Sequence, residues 1–303
     1  MTTRVDRLAY HPGELAAQRA AGLTELAARI RPIISDALPP AAQDFLARQT
    51  MLVLGARDRE GRPWATTLLG HRGFLSAPTP RTLRATAAPL PTDPLAEALR
   101  HETDVGALAI DLAARRRFRV NGRWRPTDTG GEIDVHQAFG NCPKHIQSRV
   151  PTGSAPPSRE PVVRRTSSLG LRASLLVASA DTFFIATSAP TGADVSHRGG
   201  DPGFVTPISP TELVWPDYGG NAMLMTNGNL TTNPEAGLLF PDWNSGATLQ
   251  LTGAAEVRPA ATPALPPSTG RETVFRITEA VWTEHAFPAH WSEPSCSRFN
   301  RAP

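Results

Sequence analysis

Five consecutive residues, Ser196, His197, Arg198, Gly199 and Gly200, bring together the groups that a compact anion site needs. A serine hydroxyl donates one hydrogen bond, and an arginine offers a planar fork of donors matched to a phosphate face. Two glycines let backbone N–H groups approach an oxyanion with no Cβ in the way. Further on, Asn221 follows the turn-forming Gly219-Gly220, where a helix can begin, and helix N-termini favour bound phosphate. Taken alone, His-Arg-Gly-Gly is more often a polar hairpin on a sheet rim. A second cationic stretch, Ala114–Arg123, alternates basic and apolar residues, so that Arg115, Arg117 and Arg119 share one strand face. These arginines could neutralise a phosphate or a substrate carboxylate. A solvated edge strand guarded by charge is the favoured reading. Cys142, His136 and His145 lack a second Cys-x-x-Cys or His pair, which argues against a metal site. There is no Ser-His-Asp pattern, P-loop or Gly-x-Gly-x-x-Gly, and so no separate nicotinamide-binding domain.

The elements that must position these residues are short. The chain has 303 residues, enough for two ordinary domains, with 30 prolines and 24 glycines. The 31 basic and 28 acidic residues leave a net charge of +3, too small and dispersed to argue for nucleic acid. Two cysteines give no disulfide framework, so a reducing compartment is the default. No apolar run is long enough to span a membrane, and no apolar segment follows the N-terminal charges as in a signal peptide. The expectation is a soluble, cytoplasmic, mainly β protein with flanking helices.

In order, Gly13–Leu38 reads as one amphipathic helix carrying Leu23, Leu26, Ile30, Ile33 and Ile34. A second short helix is expected over Ala41–Arg48, and both should pack outside the first β module. Strands are expected at Met51–Ala56, Pro63–Gly70, Gly73–Ala77, Thr82–Ala87, Val105–Leu112, Arg116–Asn121 and Glu132–Ala138. Asp93-Pro94 starts a helix through Leu99, and Pro143 suits the first turn of another within Phe139–Arg149. Residues 151–166 read as a linker between a first module, 1–150, and a second, 167–303. The second module begins with a helix in Ser167–Ala180 and the strand Asp181–Thr187. Arg258–Gly270 reads as an excursion and Thr273–Thr283 as the last strand.

The order recurs. GRPWATTLLGHRGFL (Gly61–Leu75) answers GADVSHRGGDPGFV (Gly192–Val205). DVGALAID (Asp104–Asp111) answers NPEAGLLF (Asn233–Phe240), and FRVNG (Phe118–Gly122) answers LQLTG (Leu249–Gly253). Two tandem copies explain this better than chance. Only the second carries Ser196–Gly200, so it should own the anion site. The first should supply a wall or a degenerate site.

The ordered set Gly192–Val257 resembles the flavin-binding split β-barrel of the pyridoxamine 5'-phosphate oxidase-like proteins. The matching parts are ADVSHRGG–PGFV, the PDY–GN turn, the GNL–NP helix and GLLF–LQLTGAAEV. His11–Glu14 with Gln18, and Asn141-Cys142-Pro143-Lys144 with Ile146-Gln147, look like segments of the family's two-module members. The resemblance implies two tandem split β-barrels packed face to face as a pseudo-dimer, with FMN at the seam. It places the FMN phosphate at Ser196–Gly199 and near Asn221–Asn229, and it points Lys144 and Gln147 towards the seam. The implied activity is an FMN-dependent oxidoreductase acting on a small molecule, with the substrate itself or NAD(P)H as electron donor. A homodimer of such chains is left open. The arginine- and lysine-rich vitamer signature of true pyridoxamine phosphate oxidases is missing, which argues against vitamin B6 oxidation. The alternatives are a non-catalytic flavin-binding module, F420 lying along Arg115–Arg119, or haem held by His285 or His290.

Overall fold

The computed structural model describes residues 8–152, 160–261, 267–287 and 291–300. Helices α1 (Pro12–Ala20), α2 (Thr24–Ile30) and α3 (Pro40–Ala47) precede strands β1 (Met51–Arg57), β2 (Pro63–Leu69), β3 (Leu75–Thr79) and β4 (Thr82–Ala85). Strands β5 (Thr103–Asp111), β6 (Arg116–Thr127) and β7 (Gly130–Gly140) complete the first half. Next come β8 (Val162–Thr166), α4 (Leu171–Ser179), β9 (Thr182–Ala189), β10 (Gly192–Gly199), β11 (Thr206–Ser209) and β12 (Glu212–Tyr218). The chain continues through α5 (Met225–Thr232), β13 (Glu235–Pro241), β14 (Thr248–Pro259) and β15 (Ser268–Glu284).

The strands form two antiparallel sheets of the same order: β2-β1-β5-β6-β7-β4-β3 and β10-β9-β13-β14-β15-β12-β11. Neither hydrogen-bonded path closes on itself, so these are two open antiparallel sheets and not closed barrels. Equivalent glycines mark equivalent irregularities. Each sheet has a register shift at its fourth strand, between Asn121 and Gly122 or between Thr252 and Gly253. A Cβ on either glycine would lie 2.0 Å from a carbonyl oxygen of the next strand. Gly73 and Gly203 sit at φ +93° and +92°, one residue before Phe74 and Phe204.

Glycines also let the sheets cross. A Cβ on Gly106 of β5 would stand 2.5 Å from the Asp194 backbone on β10. Its counterpart, Gly237 of β13, would meet the Pro63–Trp64 backbone of β2 at the same distance. Around this crossing Val53, Ala65 and Leu108 of the first half pack with Phe184, Ala186 and Val195 of the second in one buried cluster. The strand order and the close backbone approach together align β6 of the first half with β10 of the second.

Several expectations are corrected. The first helix is two helices, because Gly22 at φ +67° ends α1 before α2 begins. Helix α1 lies against α5 of the second half and not outside the first sheet; a Cβ on Gly13 would be 2.3 Å from Gly228 O. Its start is well built: His11 Nδ1 accepts from Gly13 N, and Glu14 Oε2 accepts from His11 N. Residues 93–100 form turns and a 3-10 segment, Ala98–Arg100, in place of a helix. Asp93 does cap locally, accepting from Leu95 N at 2.8 Å. Residues 141–149 are irregular, with His145 at φ +63°, because this segment is pressed onto the second half. A Cβ on Gly199 would come within 2.0 Å of His145 O. Strand β6 is flanked by β5 and β7, so it is an interior strand and not a charged edge. The latter part of the linker, β8, pairs with β15, while residues 153–159 lie outside the described residues. Among the described residues, no helix is long and apolar enough to cross a membrane.

Because Gly106 faces backbone and not a yielding side chain, Gly106→Ala must push the sheets apart. Overpacking of this kind costs about 1–3 kcal/mol, so urea unfolding should show a midpoint shift of that size.

Candidate anion-binding cavity at the seam

A cavity of about 450 Å³ opens between the two halves. Its floor is cationic. Arg117 reaches across from β6, its Nε donating to Cys142 O at 2.9 Å and its Nη1 donating to His197 Nδ1 at 2.9 Å. Arg198, from β10, donates through Nη1 to His197 O at 3.1 Å. Among the described residues, no carboxylate forms an ion pair with either guanidinium. Both remain half-buried, and they line the cavity. Burial, then Arg119 and Arg198, pull the Arg117 pKa down to about 9. Burial also lowers that of Arg198.

His197 is held neutral. Burial first, then Arg117 and Arg198, push its pKa well below the usual imidazole value. Its Nδ1 accepts from Arg117, so the ring proton sits on Nε2. That buried Nε2–H has no protein partner. The ring therefore leaves one buried donor unsatisfied beside two cations that form no ion pair among the described residues.

Opposite this floor the wall is apolar. Leu23, Leu26, Ile30 and Ile33 line the cavity from α2 and the turn that follows it, with Phe204, Tyr218 and Met223. Leu26 of α2 and Ile33 of the turn after it are 42% and 51% exposed. At one side Arg271 donates to Asp217 Oδ2 at 2.7 Å, so that cation is already neutralised. Lys144 lines the cavity with its Nζ 5.1 Å from the Phe299 ring centroid.

Six of the ten residues singled out from the sequence meet here: Arg117, Lys144, His197, Arg198, Gly199 and Asn221. The other four lie behind or beside the cavity. Ser196 is 2% exposed, accepting from Arg119 Nη2 at 2.6 Å and from Thr226 Oγ1 at 3.0 Å. Gly200 O accepts from Gln147 Nε2 at 2.9 Å, and Gln147 Oε1 accepts from Ser297 N. This pair fastens residues 145–149 to the second half. Asn229 bridges His11 and Thr187. Asn221 lines the cavity but does not begin a helix, since α5 starts at Met225 after Leu224 at φ +53°. His11 meets α5 and not the cavity. Arg115 is spent on the carbonyls of Ile146, Ser295 and Cys296. His285 is not among the cavity residues, and His290 lies outside the described residues.

Sequence reasoning missed Asp194. It takes both oxygens of a buried ion pair with Arg119 Nη1, at 2.9 and 3.1 Å, and accepts from Asn121 Nδ2. The signal was present as strand alternation, because Asp194 and Ser196 share a face of β10. It also missed the α2 stripe as a cavity wall, having read those apolar residues as packing.

No family model matches the sequence, and no curated protein matches it. Solved structures with partial likeness include a candidate pyridoxamine 5'-phosphate oxidase from Lactobacillus delbrueckii, 16% identical with a TM-score of 0.31. It covers 38% of this chain and 94% of its own. FAD-binding proteins from Mycobacterium smegmatis (10% identical, TM-score 0.26) and Mesorhizobium loti (13%, 0.27) each cover 40% of this chain and 98% of their own.

Behind the cavity, Glu14 of α1 is buried near Asp194. Burial raises its pKa to about 8, with Asp194 adding to the shift while the His11 N–H and Arg119 oppose it. The folded state therefore binds more protons than the unfolded chain between the ordinary value of 4.5 and about 8. The stability this proton contributes is complete below that range and is lost as pH rises through about 8. Thermal unfolding should show the melting temperature falling across this window, and Glu14→Gln should flatten the fall.

Proposed function

We propose that the chain binds FMN in the seam cavity and is an FMN-dependent oxidoreductase acting on a small molecule. One observation carries this reading: Arg117 from the first half and Arg198 from the second converge on one cavity, beside the neutral His197, and neither is in an ion pair among the described residues. Half-buried cations without an ion-pair partner are costly, and a phosphate offsets that cost while accepting from both guanidinium groups. The apolar wall of α2 with Phe204 and Tyr218 suits a flat ring system. A volume of about 450 Å³ lies within the range of roughly 300–1,000 Å³ usual for small-molecule sites. The resemblance of Gly192–Val257 narrows the anion to a flavin phosphate.

In this reading Arg117 and Arg198 hold the phosphate, and neutral His197 positions Arg117 by accepting from it through Nδ1. The Arg119–Asp194–Ser196 network keeps β10 in place beneath them. The α2 stripe shields one side of the ring from water. Bound flavin supplies hydride and single-electron chemistry, which no side chain here provides. Electrons come from the substrate or from NAD(P)H reaching the cavity mouth. The matching strand orders support two tandem modules packed as an intramolecular pseudo-dimer, with the cavity shared by both.

The test is FMN titration followed by absorbance and fluorescence quenching. Arg198→Ala and Arg117→Ala should each weaken binding roughly 10–100-fold, the size of a charged hydrogen bond, with the fold retained by circular dichroism. Wild-type protein that stays colourless in excess FMN defeats the reading. Stopped-flow reduction of the bound flavin by NADPH or NADH then separates an oxidoreductase from a passive carrier.

A further inference from the structure

The registers of the two sheets define which residues are equivalent. Gly106 pairs with Gly55 on one side and Asn121 on the other. Gly237 pairs in the same way with Ala186 and Thr252. Gly55 in turn faces Ala65, and Ala186 faces Val195. Counting along the strands from these anchors puts Thr67 at the place of His197 and Leu68 at that of Arg198. It puts Thr248 at the place of Arg117 and Gln250 at that of Arg119. Thr283 pairs with Thr248 as Asn141 N bonds Arg117 O, so Ala286 takes the place of Lys144.

The mirror-related place is therefore a real pocket with different chemistry. Thr67, Thr248, Gln250, Thr283 and Ala286 all line a small cavity of about 20 Å³. Each cation of the seam site is replaced there by a neutral side chain. The loop between β4 and β5 fills the remaining space with Leu90, Thr92 and Asp93. Asp93 Oδ2 accepts from Thr66 Oγ1 and from Gln250 Nε2, the latter at 2.9 Å, while Oδ1 accepts from Leu95 N. The loop that could have admitted a ligand is thus pinned by its own carboxylate. That carboxylate would also repel an incoming anion. Burial raises its pKa, while the Thr66, Leu95 and Gln250 donors and the charge of Arg165 oppose the shift.

We propose that only one of the two mirror-related places binds an anion, so that each chain takes up a single nucleotide, the β4–β5 loop closing the other. The identity of that nucleotide rests on the flavin reading above; the number of sites does not.

The experiment is equilibrium dialysis of the full chain against FMN, and, as a second probe, titration calorimetry with inorganic phosphate. Wild type should saturate at about one FMN per chain, and the double variant Arg117→Ala/Arg198→Ala should bind none. Two FMN per wild-type chain overturns the proposal while leaving the flavin reading intact; one FMN retained by the double variant overturns the proposal and the seam placement of the flavin together. Phosphate binding at one per chain with no FMN binding ends the flavin reading and upholds the single site. Binding of neither probe overturns both. If the double variant does not fold, Arg198→Gln, which keeps a polar side chain on β10, takes its place in the same comparison.

Discussion

Two guanidinium groups and a neutral imidazole meet at the seam, and among the described residues no acid forms an ion pair with them. A protein ordinarily pairs its buried cations, and this one does so elsewhere: Arg119 with Asp194, Arg149 with Asp181, and Arg271 with Asp217. The departure at Arg117 and Arg198 is local and sits on a cavity. Repulsion between them is relieved in part by backbone carbonyls of Cys142 and His197, which accept from them without cancelling their charge. His197 follows from that imbalance: burial and the two neighbouring guanidinium groups keep it neutral.

The imbalance depends on how the halves cross. Arg117 belongs to one sheet and His197 to the other, so their 2.9 Å contact exists only because β5 and β10, and β13 and β2, approach at backbone distance. Gly106 and Gly237 permit the approach by having no Cβ. A buried ion pair then fastens the crossing, Arg119 on β6 to Asp194 on β10. The same ion pair consumes Ser196 as a hydrogen-bond partner. The hydroxyl that looked like a ligand donor in the sequence is therefore part of the support and not of the floor.

Two sheets of one strand order have diverged in charge more than in shape. Their bulges, their φ-positive glycines and their glycine crossings coincide. Their polar residues do not: three arginines and a lysine on the seam side stand where leucine, threonine, glutamine and alanine stand on the other. The loops between the fourth and fifth strands of each half diverge as well. One carries the helix α5 with Thr226 on Ser196, and the other carries Asp93 on Thr66. Shape tolerates such divergence because sheet geometry is carried by backbone pairing and glycine, whereas binding is carried by a few side chains.

Strands were legible in the sequence because period-two alternation and turn glycines are local signals, and the matched segments fall in two sheets of the same strand order. The cationic residues of the site were legible for the same reason, since Arg117 and Arg119 alternate along β6 and His197–Arg198 stand beside two glycines. The irregular elements were not. Pro143 promised a helix, yet residues 141–149 bend instead to meet Gly199, a contact with a partner far away in the chain. Asp93-Pro94 promised another, yet its carboxylate is claimed by Thr66 and Gln250. The sequence by itself determined the strands and which half would hold the arginine-glycine run. Only the tertiary structure decided which of those side chains face the cavity and which are spent on holding it. That division follows from long-range contacts between the halves, and no local pattern encodes a distance between residues so far apart.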